Sequence, residues 1–146
     1  MKLISHRGNL HGPRPELENL PSYILEAEYA GYDVEIDVWF VDGRFYLGHD
    51  APTHVIHKDF LLDAGLWCHA KNLPALVEML KTPNIHCFWH QEDDVVLTSQ
   101  KYIWTYPGKT IAEYNAIAVC PERVVNWDIS KAEGICSDYI ANNKRW

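Results

Sequence analysis

The chain has 146 residues, of which 47% are hydrophobic and 12% aromatic, as in a globular and not a disordered protein. This length predicts a single domain over residues 1–146. The net charge of −7 argues against a broad nucleic-acid surface. No apolar run approaches the length of a membrane span, and no leader pattern is present. The four cysteines are far apart without a CxxC motif, which favours reduced, buried thiols in a cytoplasmic protein.

The first third of the chain predicts alternating strands and a helix. The predicted elements are a strand over 2–6, a loop over 7–20, a helix from Pro21 to Gly31, a strand over 33–41 and its hairpin partner over 44–47. Asn19 is the predicted N-cap of the helix, and Gly31 ends it. Asp42-Gly43 is a tight-turn signal that joins the two hairpin strands.

The remaining two thirds predict six more strands. The elements are a short helix over 55–64, then strands over 66–70 and 85–89 on either side of a helix over 73–81 that Asn72 caps. A polar turn over 91–94, a strand over 102–105, one or two helical turns over 109–114, and strands over 116–119, 124–127 and 134–137 follow. Without the hairpin partner over 44–47, the predicted strands number eight, and with helices between several of them they favour a compact (β/α)8 TIM-type barrel. Such barrels take about 250 residues, so several connecting helices must be shortened or missing.

An open sheet that closes only by pairing with a second chain is the alternative to that barrel. In either architecture, missing helices would leave apolar strand faces uncovered. We therefore expect a homo-oligomer.

Two carboxylates, Glu35 and Asp37, lie on one face of the strand over 33–41, because side chains two apart point the same way. They are about 6–7 Å apart along the strand. If this face is buried, two unpaired charges are costly, and a hard divalent cation with oxygen ligands compensates them. The same alternation also fits a half-exposed strand whose polar face is solvated, and the spacing alone leaves both interpretations open.

Six short motifs follow one another in the first third of the chain. They are His6-Arg7-Gly8, Glu18-Asn19, Gly31 with Asp33, Glu35-Ile36-Asp37-Val38, Asp42-Gly43 and His49-Asp50. Their order and spacing resemble the glycerophosphodiester phosphodiesterase family, within the phosphatidylinositol-phospholipase-C-like group. The resemblance thins after Asn72, although Gly134-Ile-Cys-Ser-Asp-Tyr139 is similar to the family's last-strand motif. It implies a TIM-type barrel and a metal-dependent hydrolase.

The resemblance also implies roles for single residues. These are acid/base catalysis for His6 and His49, phosphate binding for Arg7 and Lys71, metal binding for Glu35 and Asp37, and support of the site by Glu18 and Asn19. Taken as a lone residue, His6 fits a structural core histidine better than a catalytic one, and His49 also fits a surface histidine at the end of the hairpin. The roles therefore depend on the whole pattern of motifs.

One position departs from the family. Where the family has a third metal-binding glutamate, this chain has His69, two residues before Lys71. Histidine removes a negative charge and softens the site, so the Mg²⁺ or Ca²⁺ that the resemblance implies would bind less well, and Mn²⁺ or Zn²⁺ relatively better. We expect one divalent ion with His69 as a weaker third ligand, and Glu18 is the next candidate for that position.

The sequence thus predicts hydrolysis of a phosphodiester to a phosphomonoester and an alcohol. A glycerophosphodiester of lipid metabolism is the substrate that the resemblance implies, and the nucleophile is water or the substrate's own glycerol hydroxyl. The alternative is a catalytically degraded barrel that binds a phosphorylated ligand or a protein partner. The change to His69 and the missing helices motivate this alternative.

Overall fold

Ten strands and two α-helices make up the part of the chain, residues 1–142, that the computed structural model describes. The strands are β1 (Lys2–His6), β2 (Asp33–Val41), β3 (Arg44–Leu47), β4 (His54–Ile56), β5 (Leu66–Ala70), β6 (Cys87–Trp89), β7 (Val95–Leu97), β8 (Ile103–Thr105), β9 (Ala116–Val119) and β10 (Gly134–Ser137). The helices are α1 (Pro21–Tyr29) and α2 (Leu73–Leu80), and 3₁₀ turns span Lys58–Leu62 and Pro121–Arg123.

The strands form one curled, mixed sheet. Seven of them run parallel in the order β6-β5-β2-β1-β10-β9-β8. β3 and β4 extend β2 as antiparallel strands, and β7 is antiparallel to β8. Within residues 1–142 no strand ladder joins β6 to β8, so the sheet curls into a half-barrel without closing. The carboxyl ends of the seven parallel strands therefore share one edge.

The predicted (β/α)8 barrel is wrong. Along residues 1–142, only the β1–β2 and β5–β6 connections contain an α-helix, and three strands are antiparallel to their neighbours. The reason is the length of the connections. Residues 106–115, for example, include Pro107-Gly108 and leave no room for a crossover helix with its two loops.

Four local predictions are also wrong. The segment 55–64 is β4 and a 3₁₀ turn, 109–114 contains no helix, 124–127 is not a strand, and β7 follows the polar turn as a strand that was not predicted. For β4 and β7 the outcome depends on a partner strand and not on the local pattern. β4, for instance, is short but pairs along β3.

Both faces of β2 are buried, which rules out the solvated-strand interpretation of its carboxylates. Val34, Ile36 and Val38 belong to an apolar core that includes residues of α1 and α2. On the other face, Glu35 is only 3% exposed and Asp37 is fully buried. These carboxylates therefore face the inside of the curled sheet. All four cysteines are free and buried, as predicted.

A pH-dependent contact lies beside the amino-terminal end of β5. Burial, together with the charge and the hydrogen bond of Asp63, raises the pKa of Glu28 to about 7. A raised folded-state pKa means that the protonated group stabilises the fold. This contribution is complete below the ordinary value of 4.5 and is lost as the pH rises through about 7.

Glu28→Gln, which fixes the neutral form, should therefore raise Tm relative to the natural protein at about pH 8 and leave it nearly unchanged below about pH 5. Thermal unfolding followed by circular dichroism across this range measures the effect. Glu26→Gln on the same helix is the control, with no pH-dependent difference expected. An equal shift of Tm by Glu28→Gln at all pH values would contradict the prediction.

The outer surface carries apolar residues but no membrane helix. Within residues 1–142, neither helix is long and apolar enough to cross a bilayer, in agreement with the sequence. Leu73, Val77 and Leu80 of α2 are exposed at spacings that place them on one helix face. Such a face fits the expected homo-oligomer, which stays a prediction.

Candidate functional site

The residues singled out in the sequence meet at the carboxyl ends of three neighbouring parallel strands. They are His6 at the end of β1 with Arg7 after it, Glu35 and Asp37 on β2, and His69 on β5 with Lys71 after it. The strand register sets their heights, because His6 is paired with Glu35 and Asp37 with His69. Adjacent parallel strands are about 4.8 Å apart, which brings these side chains within reach of one another.

Two cavities that share lining residues open at this edge of the sheet. An inner cavity of about 240 Å³ is lined by Glu35, His69 and Lys71, and an outer cavity of about 540 Å³ by Glu18 and Asn19. His6, Arg7 and His49 line both cavities. The structure thus brings all nine predicted residues, with Asp37 just beneath the surface, to one cleft. Their roles in it stay predictions.

Glu35 and Asp37 have the properties of cation ligands. Within residues 1–142, Glu35 Oε2 and Asp37 Oδ1 are buried without a hydrogen-bond partner. His69 Nδ1 lies 3.3 Å from Asp37 Oδ1 and 3.8 Å from Glu35 Oε1. One ligand atom from each of the three residues lies within 4.8 Å of the others. Because buried acceptors without donors are costly, this set of two carboxylates and one imidazole fits a divalent ion.

Asp37 remains ionised in this environment, whereas the negative charge of Glu35 is less well compensated. Burial alone would raise the pKa of Asp37, but the neighbouring His69 and the charge of Arg7 outweigh it and hold this pKa well below its usual range. Arg7 Nε lies 3.0 Å from Asp37 Oδ2. Burial and the charge of Asp37 instead raise the pKa of Glu35. A bound cation would relieve both effects at Glu35.

Asn19 and Glu18 support the charged residues and do not join the three-ligand set. Asn19 Nδ2 donates to Asp37 Oδ2 at 2.9 Å, and the Asp37 N–H donates back to Asn19 Oδ1. Asn19 is therefore not the N-cap of α1, a position that Leu20 occupies, because its amide is used by Asp37. Glu18 accepts from Arg7 Nη1 at 3.1 Å and orients the guanidinium.

His6 is held by a residue that the sequence analysis did not select. Its Nδ1 lies 2.6 Å from Asp138 Oδ1, and its Nε2 lies 3.8 Å from Glu35 Oε2. Burial lowers the pKa of His6, but the hydrogen bond to Asp138 and the charge of Glu35 outweigh burial and raise it. Asn9 and Arg123 donate to Asp138 in turn. The only signal for Asp138 was its place in the last-strand motif Gly134–Tyr139.

His49 reaches the cleft from the segment that joins the antiparallel strands β3 and β4. Its side chain is 43% exposed, and its Nδ1 lies 2.7 Å from Asp50 Oδ1. The preceding Gly48 has φ 152°, and a Cβ at this position would collide with Ala51 O. Only glycine therefore permits the tight path that places His49 at the cleft.

No protein-family model, curated protein or solved structure matches the chain. The resemblance to glycerophosphodiester phosphodiesterases therefore stays a hypothesis. Any function must be argued from the cleft and its residues.

Proposed function

We propose that the chain is a metal-dependent phosphodiester hydrolase that acts on a small glycerophosphodiester. The observation that carries the proposal is the buried pair Glu35 and Asp37, each with one oxygen that has no hydrogen-bond partner within residues 1–142, beside His6 and Arg7 in an open cleft. Buried acceptors without donors are costly, so these oxygens support the binding of a cation. A phosphate diester matches this cleft, because a bound divalent ion, the Arg7 guanidinium and the proton donors His6 and His49 would converge on it.

Glu35, Asp37 and His69 would hold the divalent ion, which when bound supplies a Lewis acid that withdraws charge from the phosphoryl oxygens. Arg7 binds a further phosphate oxygen through its planar guanidinium, which Glu18 already orients. Lys71 Nζ lies 3.8 Å from Asp37 Oδ1 at the inner cavity and adds a positive charge to the same site.

His6 and His49 carry out the proton transfers of the reaction, one as the base and the other as the acid. Because Asp138 occupies Nδ1 of His6, the Nε2 of this ring is the atom that holds or gives a proton on the side of Glu35. One histidine takes the proton of the attacking hydroxyl, from water or the glycerol group, and the other protonates the leaving alcohol. Attack by water gives a phosphomonoester and an alcohol; attack by the glycerol hydroxyl expels the alcohol and leaves a cyclic phosphodiester, which water then opens to the phosphomonoester.

A binding function is the second candidate, and one observation favours it. Arg7, His69 and Lys71 all lie within 3.8 Å of Asp37. These groups compensate part of the negative charge without a metal. A site compensated in this way binds a phosphorylated ligand through Arg7 and Lys71 without turning it over.

Metal-dependent turnover separates the two candidates. The purified protein is incubated with glycerophosphocholine or bis(p-nitrophenyl) phosphate in Mg²⁺, Ca²⁺, Mn²⁺ or Zn²⁺, with and without chelator. The hydrolase predicts turnover that the chelator abolishes and the metal restores. Binding of glycerophosphocholine in calorimetry without turnover in any metal would overturn the hydrolase and establish the binding function.

The third ligand sets the metal preference in this proposal. His69→Glu adds a hard oxygen and a negative charge, so the ratio of kcat/KM in Mg²⁺ to that in Mn²⁺ should rise about tenfold or more. His90→Glu is the matched control, because His90 lines the same cavity but is outside the three-ligand set. An unchanged ratio in His69→Glu, or an equal change in the control, would show that His69 is not a ligand.

A further inference from the structure

A second group of ligand-type side chains lies at the ends of β1, β9 and β10. His6 ends β1, Cys120 directly follows β9, and Asp138 directly follows β10. One ligand atom from each lies within 4.8 Å of the others, and all three residues are buried. This set shares His6 with the cleft but contains neither of the β2 carboxylates.

Cys120 is held in an unusual position beside the inner cavity. Its backbone is left-handed, with φ 45°, which is uncommon for a residue other than glycine or asparagine. The side chain lines the inner cavity together with His6 although it is 1% exposed. Burial raises the pKa of its thiol, so the free thiol is protonated.

We propose that His6, Cys120 and Asp138 form a second metal site, selective for zinc-type ions, whose occupation blocks the function of His6. A thiolate, an imidazole and a carboxylate are ligands that Zn²⁺ accepts in tetrahedral geometry, whereas Mg²⁺ and Ca²⁺ avoid sulfur. Binding breaks the S–H bond of Cys120, forms the metal–sulfur bond and releases the proton to solvent. Water from the inner cavity supplies the fourth ligand.

The ring of His6 separates this site from the Glu35–Asp37–His69 set. Its Nδ1 faces Asp138 at 2.6 Å, and its Nε2 faces Glu35 at 3.8 Å. An ion on the Cys120 side binds His6 Nδ1, the Nδ1 proton that faces Asp138 is released to solvent, and the ring keeps a single proton on Nε2. Arg123 Nη2, 3.1 Å from Asp138 Oδ2, must give way, and its 56% exposed side chain can turn to solvent.

Metal binding itself does not depend on the proposed hydrolase activity, whereas the inhibition does. Co²⁺ is the direct probe, because a thiolate ligand gives a ligand-to-metal charge-transfer band in the near ultraviolet. The Glu35–Asp37–His69 set contains no sulfur and cannot produce this band. We expect the band in the full chain and in Asp37→Asn, its loss in Cys120→Ser, and its retention in the matched control Cys136→Ser.

Absence of the band in the natural protein, or its survival in Cys120→Ser, would overturn the second site. X-ray absorption of the zinc-loaded natural protein needs no variant, and one sulfur neighbour at about 2.3 Å is expected. Where the protein turns over diester in Mn²⁺, Zn²⁺ should inhibit it, and Cys120→Ser should weaken the inhibition about 100-fold. Inhibition of equal strength in this variant would show that zinc acts at the other site.

Discussion

Asp37→Asn is expected to abolish divalent-metal binding and to lower kcat by at least about 10³-fold. The change replaces an ionised carboxylate with a neutral amide of the same shape, so charge is lost and packing is kept. Asp37 is also the common neighbour of Arg7 and Lys71, whose positive charges then repel an ion without compensation. Isothermal titration calorimetry with Mn²⁺ and a diester assay measure the two effects.

Loss of a charge from a buried ion pair also costs stability, of the order of 3–5 kcal/mol when the partner is left unpaired. Urea unfolding of Asp37→Asn must therefore show a folded protein at the assay temperature. Glu16→Gln, at the outer cavity, is the control for general loss of negative charge from the cleft. A folded Asp37→Asn that binds Mn²⁺ as tightly as the natural protein would remove Asp37 from the metal site.

The second large effect is expected at the histidines. His6→Ala and His49→Ala should each lower kcat by about 10²–10⁴-fold with the fold intact, because each removes one proton-transfer group. His6 also has a positioning partner in Asp138, 2.6 Å away, whereas within residues 1–142 His49 pairs only with Asp50, a carboxylate that is 94% exposed. The larger loss of kcat is therefore expected for His6→Ala.

His54→Ala provides the control, because this histidine lines the outer cavity but belongs to no motif. Its kcat should stay within a few-fold of the natural value, and circular dichroism should show all three variants folded. If His6→Ala or His49→Ala turns over diester at the natural rate, that histidine has no acid/base role.

Elements with local signals were predictable from the sequence. The Asp42-Gly43 turn, the alternation along β2 and the cap of α2 all depend on neighbouring residues, and the structure contains each of them. The Asn72 side chain, for example, accepts from the Ala75 N–H at 3.1 Å, as an N-cap does. Closure of the sheet depends on which distant strands pair, and counting strands could not determine it. The antiparallel return of β7 onto β8 shows this limit.

The cleft was predictable where its residues lie in contiguous motifs. His6-Arg7 and Glu35–Asp37 converge because two neighbouring parallel strands carry them. Asp138 and Cys120 were missed as site residues, since their significance comes from the positions of β9 and β10 beside β1 and not from adjacent residues. The hydrogen bond from Asn19 to Asp37 was likewise missed, because the residues around Asn19 form an ordinary helix-capping pattern.

The ladder between β1 and β10 also fixes when the site can form during synthesis. His6 and Asp138 are 132 positions apart, yet their strands are hydrogen-bonded neighbours. A nascent chain exposes β1 long before β10 has been made, and the entropy cost of closing so long a loop falls on the last step of assembly. Until then β1 lacks one neighbour and the His6 ring lacks its partner. Ribosome-bound chains that stop before Gly134 are therefore expected to be inactive and prone to associate through the open edge of β1.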